Sequence, residues 1–212
     1  MNNNIKQSNF VSIIGIGGAG MNVISSINKQ NNLYRVAINE ESDRTKQILA
    51  DLVVELNSET DKSDISALKE KDIENLNSII NEKSVVIICA GLGGETGTQM
   101  TPVISKFAKQ KGAKVVTILF KPFNFEGTSR MQKAVDGANE IKSLCDRSII
   151  ISNEKLRSYA SGGTFRHVFS AADDAIKKCV ATICDNLDKN ASDGTFYSQL
   201  DEVVNTFGFV EK

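Results

Sequence analysis

VVIICAGLGGETGTQMTP, residues 85–102, is the stretch that decides how this 212-residue chain folds. It opens with five apolar residues, Val85 to Cys89, which predict a fully buried strand. A turn rich in glycine and threonine follows, and then a helix whose first turn carries Pro102. Unpaired backbone N–H groups and the positive end of the dipole make such a helix start attractive to anions. The stretch therefore predicts a strand, an anion-binding turn and a helix.

The composition of this turn suits a phosphate group. Residues 91–98 contain four glycines, which let the backbone approach an anion without a Cβ atom in the way. Thr96 and Thr98 add hydroxyl groups that can donate to phosphate oxygens or hold a hydrated Mg²⁺ ion. The alternative is a tight turn that binds nothing, but such a turn does not need four glycines. We therefore expect this turn to hold a phosphate.

A second unit of the same kind lies near the start of the chain. Residues 10–14 predict a strand, which runs into GIGGAGMN, residues 15–22, and then into a helix. Three glycines of this segment also fit the dinucleotide fingerprint G-x-G-x-x-G. The ribose-binding acid of that fingerprint is expected after the next strand, where Glu40 and Glu41 stand. An NAD-dependent Rossmann oxidoreductase is therefore an open alternative at this point.

Composition and charge limit the class of protein. The chain is 41% hydrophobic and 24% charged, as in globular proteins, and its net charge of −1 argues against nucleic acid or an acidic membrane as partner. The four cysteines show no CxxC spacing and predict reduced thiols in the cytosol. We see no signal peptide or long apolar run, and we expect a cytoplasmic protein. His167 is the single histidine, so we predict no metal site.

Strands and helices alternate along the chain, which predicts an α/β fold with a Rossmann-like parallel sheet and helices on both faces. The predicted strands are 10–14, 34–38, 51–56, 85–89, 114–120 and 147–151, and the predicted helices are 21–27, 65–81, 103–111, 132–144, 168–187 and 199–207. Ligands of such sheets sit beyond the carboxyl ends of the strands. Because both glycine turns follow strands, we expect them to line one mouth.

The pattern divides the chain into three parts. Residues 1–9 are polar and predict a flexible arm, residues 10–190 form the nucleotide-binding domain, and residues 191–212 form a short helical appendage.

With these motifs in view, the chain resembles the FtsZ/tubulin superfamily, and within it the nucleotide-binding domain of bacterial FtsZ. IGIGGAGMN is similar to the first glycine loop of the family, and AGLGGETGT is similar to its signature GGGTGTG. The most specific match is KPFNFEGTSRM, residues 121–131, beside the family's KPFNFEG-x-x-RM. SNEKL and FSAADDAI, residues 152–156 and 169–176, resemble two further family motifs in the same order.

The resemblance implies a guanine nucleotide, GTP or GDP, with Mg²⁺ as an accompanying ion. The residues it assigns to phosphate binding are Gly17, Gly18, Ala19, Gly20, Met21 and Asn22 in the first loop and Gly93, Gly94, Thr96, Gly97 and Thr98 in the second. Asn39 matches the asparagine that follows the second strand of the family.

The resemblance also assigns the sugar and the base. Glu126 and Arg130 match the pair that contacts ribose, and Asn153 matches the asparagine that reads the sugar and the base edge. Phe169 matches the ring that stacks on the base, and Asp174 matches the carboxylate that accepts from guanine. Each has a structural alternative: a core position for Phe169, a complement to the helix dipole for Asp174, a surface ion pair, or a helix cap for Asn153.

Several positions depart from the family pattern. Glu95 and Gln99 stand where the signature has glycines, and Glu95 must point away, pair with a cation or weaken binding of a γ-phosphate. The loop NSETDKSD, residues 57–64, lacks the glycines of the family's γ-phosphate loop. Asp193 and Asp201 do not have the spacing of the acidic residues that assist hydrolysis in the family. The sequence therefore assigns no catalytic residue, and GTPase activity stays open.

The resemblance further implies a link to cell division or filament assembly. The expected partners are a second copy of the chain or a full-length FtsZ-like relative, and the missing acidic loop motivates the second of these. The family's second domain has no match in this sequence. A filament regulator that binds no nucleotide is the third hypothesis, and Glu95 is its best support.

Overall fold

A seven-stranded sheet forms the centre of the structure, a computed structural model that describes residues 10–30, 32–57, 61–159, 164–188 and 192–211. The strands are β1 (Phe10–Ile16), β2 (Leu33–Glu40), β3 (Leu52–Leu56), β4 (Ser84–Gly91), β5 (Lys114–Lys121), β6 (Arg147–Ser152) and β7 (Val210–Glu211). They lie in the order β3-β2-β1-β4-β5-β6-β7, and all neighbours are parallel except β6 and β7. The predicted arm, residues 1–9, lies outside the described residues.

Helices cover both faces of this sheet. They are α1 (Gly17–Ser26), α2 (Asp43–Gln47), α3 (Glu70–Ile79), α4 (Glu95–Gln110), α5 (Thr128–Lys142), α6 (Asn153–Tyr159), α7 (Phe165–Asp188) and α8 (Asp193–Asn205). One core packs α1, α7 and α8 against the sheet, and the other packs α3, α4 and α5. Side chains of β4 alternate between the two cores, as expected of a strand buried on both faces. The predicted parallel α/β fold is confirmed.

Five helices, α1, α4, α5, α7 and α8, begin earlier than predicted, and in α1 and α4 the shift brings glycines into the first turn. α4 begins at Glu95, so Pro102 lies inside the helix and the prediction that it belongs to the first turn is wrong. α1 begins at Gly17 rather than at Met21. Each first turn contains a glycine that packs directly on a strand: a Cβ atom on Gly97 of α4 would lie 2.2 Å from the carbonyl oxygen of Gly91, and one on Gly20 of α1 would lie 2.4 Å from that of Cys89.

The single helix predicted over residues 65–81 is also wrong. The segment forms a short 3₁₀ turn, Ile65–Ala67, and then α3. The side chain of Asp64 accepts a hydrogen bond from the backbone N–H of Ser66 at 2.8 Å and caps this turn. Lys69 is extended, so the two pieces cannot join into one helix.

The end of the chain closes one edge of the sheet. α8 begins six residues before the predicted start at 199, where Ser192 accepts from the backbone N–H of Thr195. β7 then pairs antiparallel with β6, which the sequence did not predict. The segment after residue 190 thus contains a helix and an edge strand, while its status as a separate appendage stays a prediction.

Within the described part of the chain, no helix combines the length and the apolar character needed to cross a membrane.

Candidate functional site

The starts of α1 and α4 lie side by side at the carboxyl edge of the sheet. β1 and β4 are parallel neighbours, and each leads directly into its helix. A Cβ atom on Gly17 would lie 3.4 Å from the backbone nitrogen of Gly97, so the two first turns are in contact. Neither N-cap residue, Ile16 or Gly94, closes its helix with a side-chain hydrogen bond. Two helix dipoles and two sets of N–H groups therefore converge on one place, which suits an anion.

Close packing of glycines brings these helices to the strands. A Cβ atom on Gly20 would lie 2.4 Å from the carbonyl oxygen of Cys89 on β4, far inside contact distance. Gly93 has φ of +84°, a left-handed conformation that favours glycine. Of the predicted cradle positions, Gly17 and Gly93 are thus required by a positive φ, and Gly20 and Gly97 by close contact with a strand.

Thr98 and Arg130 both meet the second glycine turn. The hydroxyl oxygen of Thr98 accepts a hydrogen bond of 2.9 Å from the backbone N–H of Gly93. A Cβ atom on Gly93 would lie 2.5 Å from the carbonyl oxygen of Arg130, and one on Gly94 would lie 3.8 Å from its Nη2. The guanidinium also pairs with Glu126, with Nε and Oε2 3.3 Å apart. The structure therefore brings Thr98, Glu126 and Arg130 together beside the second glycine turn.

A cavity of about 420 Å³ opens beside the start of α1. Its walls are formed by Ala19, Asn22, Val23, Phe120, Asn153, Phe169, Ser170, Ala172 and Asp173. The Oδ1 atom of Asn153 is buried and has no hydrogen-bond partner among the described residues. A buried polar oxygen without a partner is costly, so this atom suits a ligand that donates to it.

The ring of Phe169 stands at the edge of this cavity. Phe169 is 42% exposed, whereas Ala172 and Ile176, which follow it on the same helix, are buried. Phe169 contacts the ring of Phe123 edge to face, with ring centroids 6.4 Å apart. Phe169 is therefore not a buried core residue, which was the structural alternative to a stacking role.

Two neighbouring acids on α7 lie in different surroundings. Asp173 lines the cavity, whereas the side chain of Asp174 is 68% exposed and faces Lys177, its Oδ1 3.9 Å from the Nζ atom. Residues four apart lie on one face of a helix, so Asp173 shares the face of Phe169 and Asp174 does not. Burial raises the pKa of Asp173 above its ordinary value, with the negative charge of Asp174 adding to the rise. The cavity therefore includes Asp173 and not Asp174, while base recognition by either residue stays a prediction.

Comparison with protein families matches residues 11–161 to the tubulin/FtsZ family, GTPase domain. The chain belongs to the tubulin/FtsZ family. Its match is to the GTPase domain of that family, and the alternative of an NAD-dependent oxidoreductase is not favoured.

Curated relatives agree with this assignment. The chain is 30% identical to the cell division protein FtsZ of Buchnera aphidicola subsp. Baizongia pistaciae over 99% of its own length and 56% of the relative. It is 29% identical to FtsZ of Pseudomonas aeruginosa, with 97% and 55% covered. Among solved structures, an empty FtsZ dimer of M. jannaschii superposes with a TM-score of 0.67 at 26% identity, covering 82% of this chain and 54% of that one. The chain spans about half the length of the relatives it matches.

Other predicted residues of this FtsZ-like site have structural partners. Met21 is 1% exposed, and its sulfur atom lies 3.2 Å from the Nδ2 of Asn39. Gly18 and Asn22 are exposed at the start of α1, and Asn22 reaches the cavity wall. Met21 can therefore meet a ligand only through its backbone, and Asn39 holds Met21 in place.

A charged cluster at the start of α4 could not be seen in the sequence. The Nζ atom of Lys62 lies 2.9 Å from Oε1 of Glu40 and 3.3 Å from Oε1 of Glu95, and its side chain is 2% exposed. Thr96 donates its hydroxyl proton to the same oxygen of Glu40 at 3.2 Å, rather than leaving it for a phosphate. The hydrogen bond from Lys62 holds the pKa of Glu40 below its usual value, and the one to Glu40 raises the pKa of Lys62. Of the three outcomes expected for Glu95, pairing with a cation is the one observed.

Proposed function

We propose that this domain binds GDP and GTP, with the base in the cavity and the phosphates at the starts of α1 and α4. The observation that carries the proposal is the position of Asp173 and Asn153 in a cavity that opens beside two adjoining helix starts. Membership of a GTPase-domain family supports the proposal. The buried Oδ1 atom of Asn153, which has no hydrogen-bond partner among the described residues, supports it as well.

The side chains of the cavity favour guanine over adenine. A carboxylate at Asp173 accepts hydrogen bonds only, and guanine presents donors at N1 and N2 where adenine has no donor at N1. Phe169, at the cavity edge, offers a face for stacking, which contributes about 1–3 kcal/mol per base in comparable sites. Glu126 pairs with Arg130, which lies against the second glycine turn, and in the proposed orientation this pair would contact the ribose.

The phosphates would meet backbone N–H groups rather than a cluster of basic side chains. Gly17, Gly18, Ala19 and Gly20 contribute from α1, and Gly93, Gly94, Gly97 and Thr98 contribute from the turn before α4 and its first residues. Among the described residues, no group of three or more His, Cys, Asp or Glu side chains could hold a metal ion. A Mg²⁺ ion would therefore be held mainly by phosphate oxygens and water, with a threonine hydroxyl nearby.

Hydrolysis is not assigned to any residue of this chain. Asp201 is one of the two acids considered from the sequence. Its Oδ2 atom forms an ion pair with Nη2 of Arg147, on β6, at 2.6 Å. The side chain of Asp193 lies outside the described residues. We propose that the domain binds nucleotide in the cytoplasm and that its partner is another copy or a full-length FtsZ-like protein, since curated relatives are named cell division protein FtsZ.

Isothermal titration calorimetry with GDP, ADP and NAD tests the function. We expect one GDP to bind per chain, with affinity at least tenfold above that of ADP, and no binding of NAD at the same concentrations. Tighter binding of NAD than of GDP would support the oxidoreductase hypothesis. A folded protein that takes none of the three would support the regulator without nucleotide.

A further inference from the structure

The strand order indicates which end of the site would hold the base of a nucleotide and which end would hold its terminal phosphate. The cavity lies at the ends of β5 and β6, where Phe120 and Asn153 stand, and the glycine turns follow β1 and β4 in the middle of the sheet. Glu40 ends β2, and Lys62 follows β3, at the far side of those turns. A nucleotide with its base in the cavity therefore points its terminal phosphate toward Glu40 and Lys62.

The cluster at that end contains one cation and two carboxylates. Lys62 is almost fully buried, while the side chains of Glu40 and Glu95 are 38% and 68% exposed. Glu95 is the first residue of α4, so its carboxylate lies beside the N–H groups that would hold a phosphate. Thr96, the next residue, ties the same helix start to Glu40. The three charges therefore stand at the phosphate end of the site with a net charge of −1.

We propose that Lys62 and Glu95 set the preference of the site between a nucleoside diphosphate and a nucleoside triphosphate. The inference rests on the proposed function, because it takes a nucleotide in this orientation as given. The ammonium group of Lys62 favours the added negative charge of a third phosphate, and the carboxylate of Glu95 opposes it. A diphosphate ends farther from the cluster and is affected less, because the interaction of two charges falls with distance and is screened by salt.

The proposal predicts opposite effects for two substitutions. Glu95→Gln removes a negative charge from a mostly exposed side chain and should raise the affinity for a non-hydrolysable GTP analogue, relative to GDP, by about three- to tenfold. Lys62→Met removes the positive charge and should lower the same ratio by a similar factor. Both effects should shrink as NaCl is raised from about 0.05 to 0.5 M, which a purely structural change would not produce.

Two control substitutions make the same changes of charge at positions far from the cluster of Lys62, Glu40 and Glu95. Lys109, near the end of α4, pairs with Asp146 at 2.7 Å, and Glu82 is exposed before β4. Lys109→Met and Glu82→Gln should leave the ratio unchanged within about twofold.

Calorimetric dissociation constants for GDP and the β,γ-methylene analogue of GTP, measured on all four variants, decide the question. Opposite shifts for Glu95→Gln and Lys62→Met support the inference. If wild type binds GDP and Glu95→Gln leaves the ratio unchanged, the inference is wrong while the proposed function stands. Failure of wild type to bind GDP would overturn the proposed function and the inference with it. Because Lys62 is itself buried, Lys62→Met can disturb the local packing, and the exposed Glu95→Gln variant is the one that decides.

Discussion

Asp173→Asn is expected to raise the dissociation constant for GDP by about 10- to 100-fold, the loss that accompanies removal of a charged hydrogen-bonding group. The asparagine amide has one acceptor and one NH₂ donor, so it faces two guanine donors with a single matching atom. Asp173 lines the cavity and lies one helical turn from Phe169, which fixes both on the same face of α7. Calorimetry or fluorescence polarisation with a labelled GDP measures the change.

Asp174→Asn is the matched control for this substitution. It alters the adjoining residue by the same atoms, but the side chain of Asp174 is exposed and faces Lys177 instead of the cavity. We expect its dissociation constant to stay within about twofold of wild type, since solvent screens an exposed charge. The reverse result, with Asp174→Asn weakening GDP and Asp173→Asn leaving it unchanged, would restore the assignment made from the sequence.

The pH dependence of binding gives a second view of Asp173. Burial raises the pKa of its carboxyl group, although Lys177 and a hydrogen bond from Ser26 act in the opposite direction. Only the carboxylate form accepts both guanine donors, so affinity is present above this pKa and is lost as pH falls through it. Because the pKa is raised, the loss should begin at a higher pH than for an ordinary aspartate. The affinity of Asp173→Asn should lack this component.

Gly20→Ala is expected to lower the free energy of unfolding by about 3 kcal/mol or more, the upper end of what overpacking costs. The new Cβ atom would lie 2.4 Å from the carbonyl oxygen of Cys89 and 2.6 Å from the carbonyl carbon of Gly15. These are backbone atoms of β4 and β1, so no side-chain rotation relieves the clash, and α1 must move off the sheet. Urea denaturation followed by circular dichroism measures the change.

Gly194→Ala is the control for Gly20→Ala, because it makes the same glycine-to-alanine change in a helix without a clash. Gly194 also lies in a helix, α8, but a Cβ atom added there would meet no heavy atom of the described residues within 4 Å. We expect this variant to match wild type or to gain up to about 1 kcal/mol, because alanine favours the helix. Equal stabilities for Gly20→Ala and Gly194→Ala would contradict the close packing of α1 on the sheet.

The sequence predicted the sheet because its signals are local. Each buried strand is a short apolar run, and each is followed by a glycine or polar turn, so the order of elements and the edge that carries the site can be inferred. Helix starts were predicted less well. Glycine is a poor helix former, and nothing local shows that residues 17–20 and 95–97 must be helical to fit against their strands.

The charged cluster could not be predicted for a different reason. Lys62 lies in a polar loop without periodicity, and its contact with Glu95 spans 33 residues of sequence. Only the parallel order of β1, β2, β3 and β4 brings the two together. The choice between Asp173 and Asp174 was different, because the spacing of four residues from Phe169 was visible in the sequence and favours Asp173.

A crystal structure of the protein grown with GDP tests the central claim most directly. We expect the base in the cavity, against Phe169 and within hydrogen-bond distance of Asp173 and Asn153, with both phosphates at the starts of α1 and α4. Folded protein that shows GDP elsewhere, or no GDP at a millimolar concentration, would contradict this account of the site.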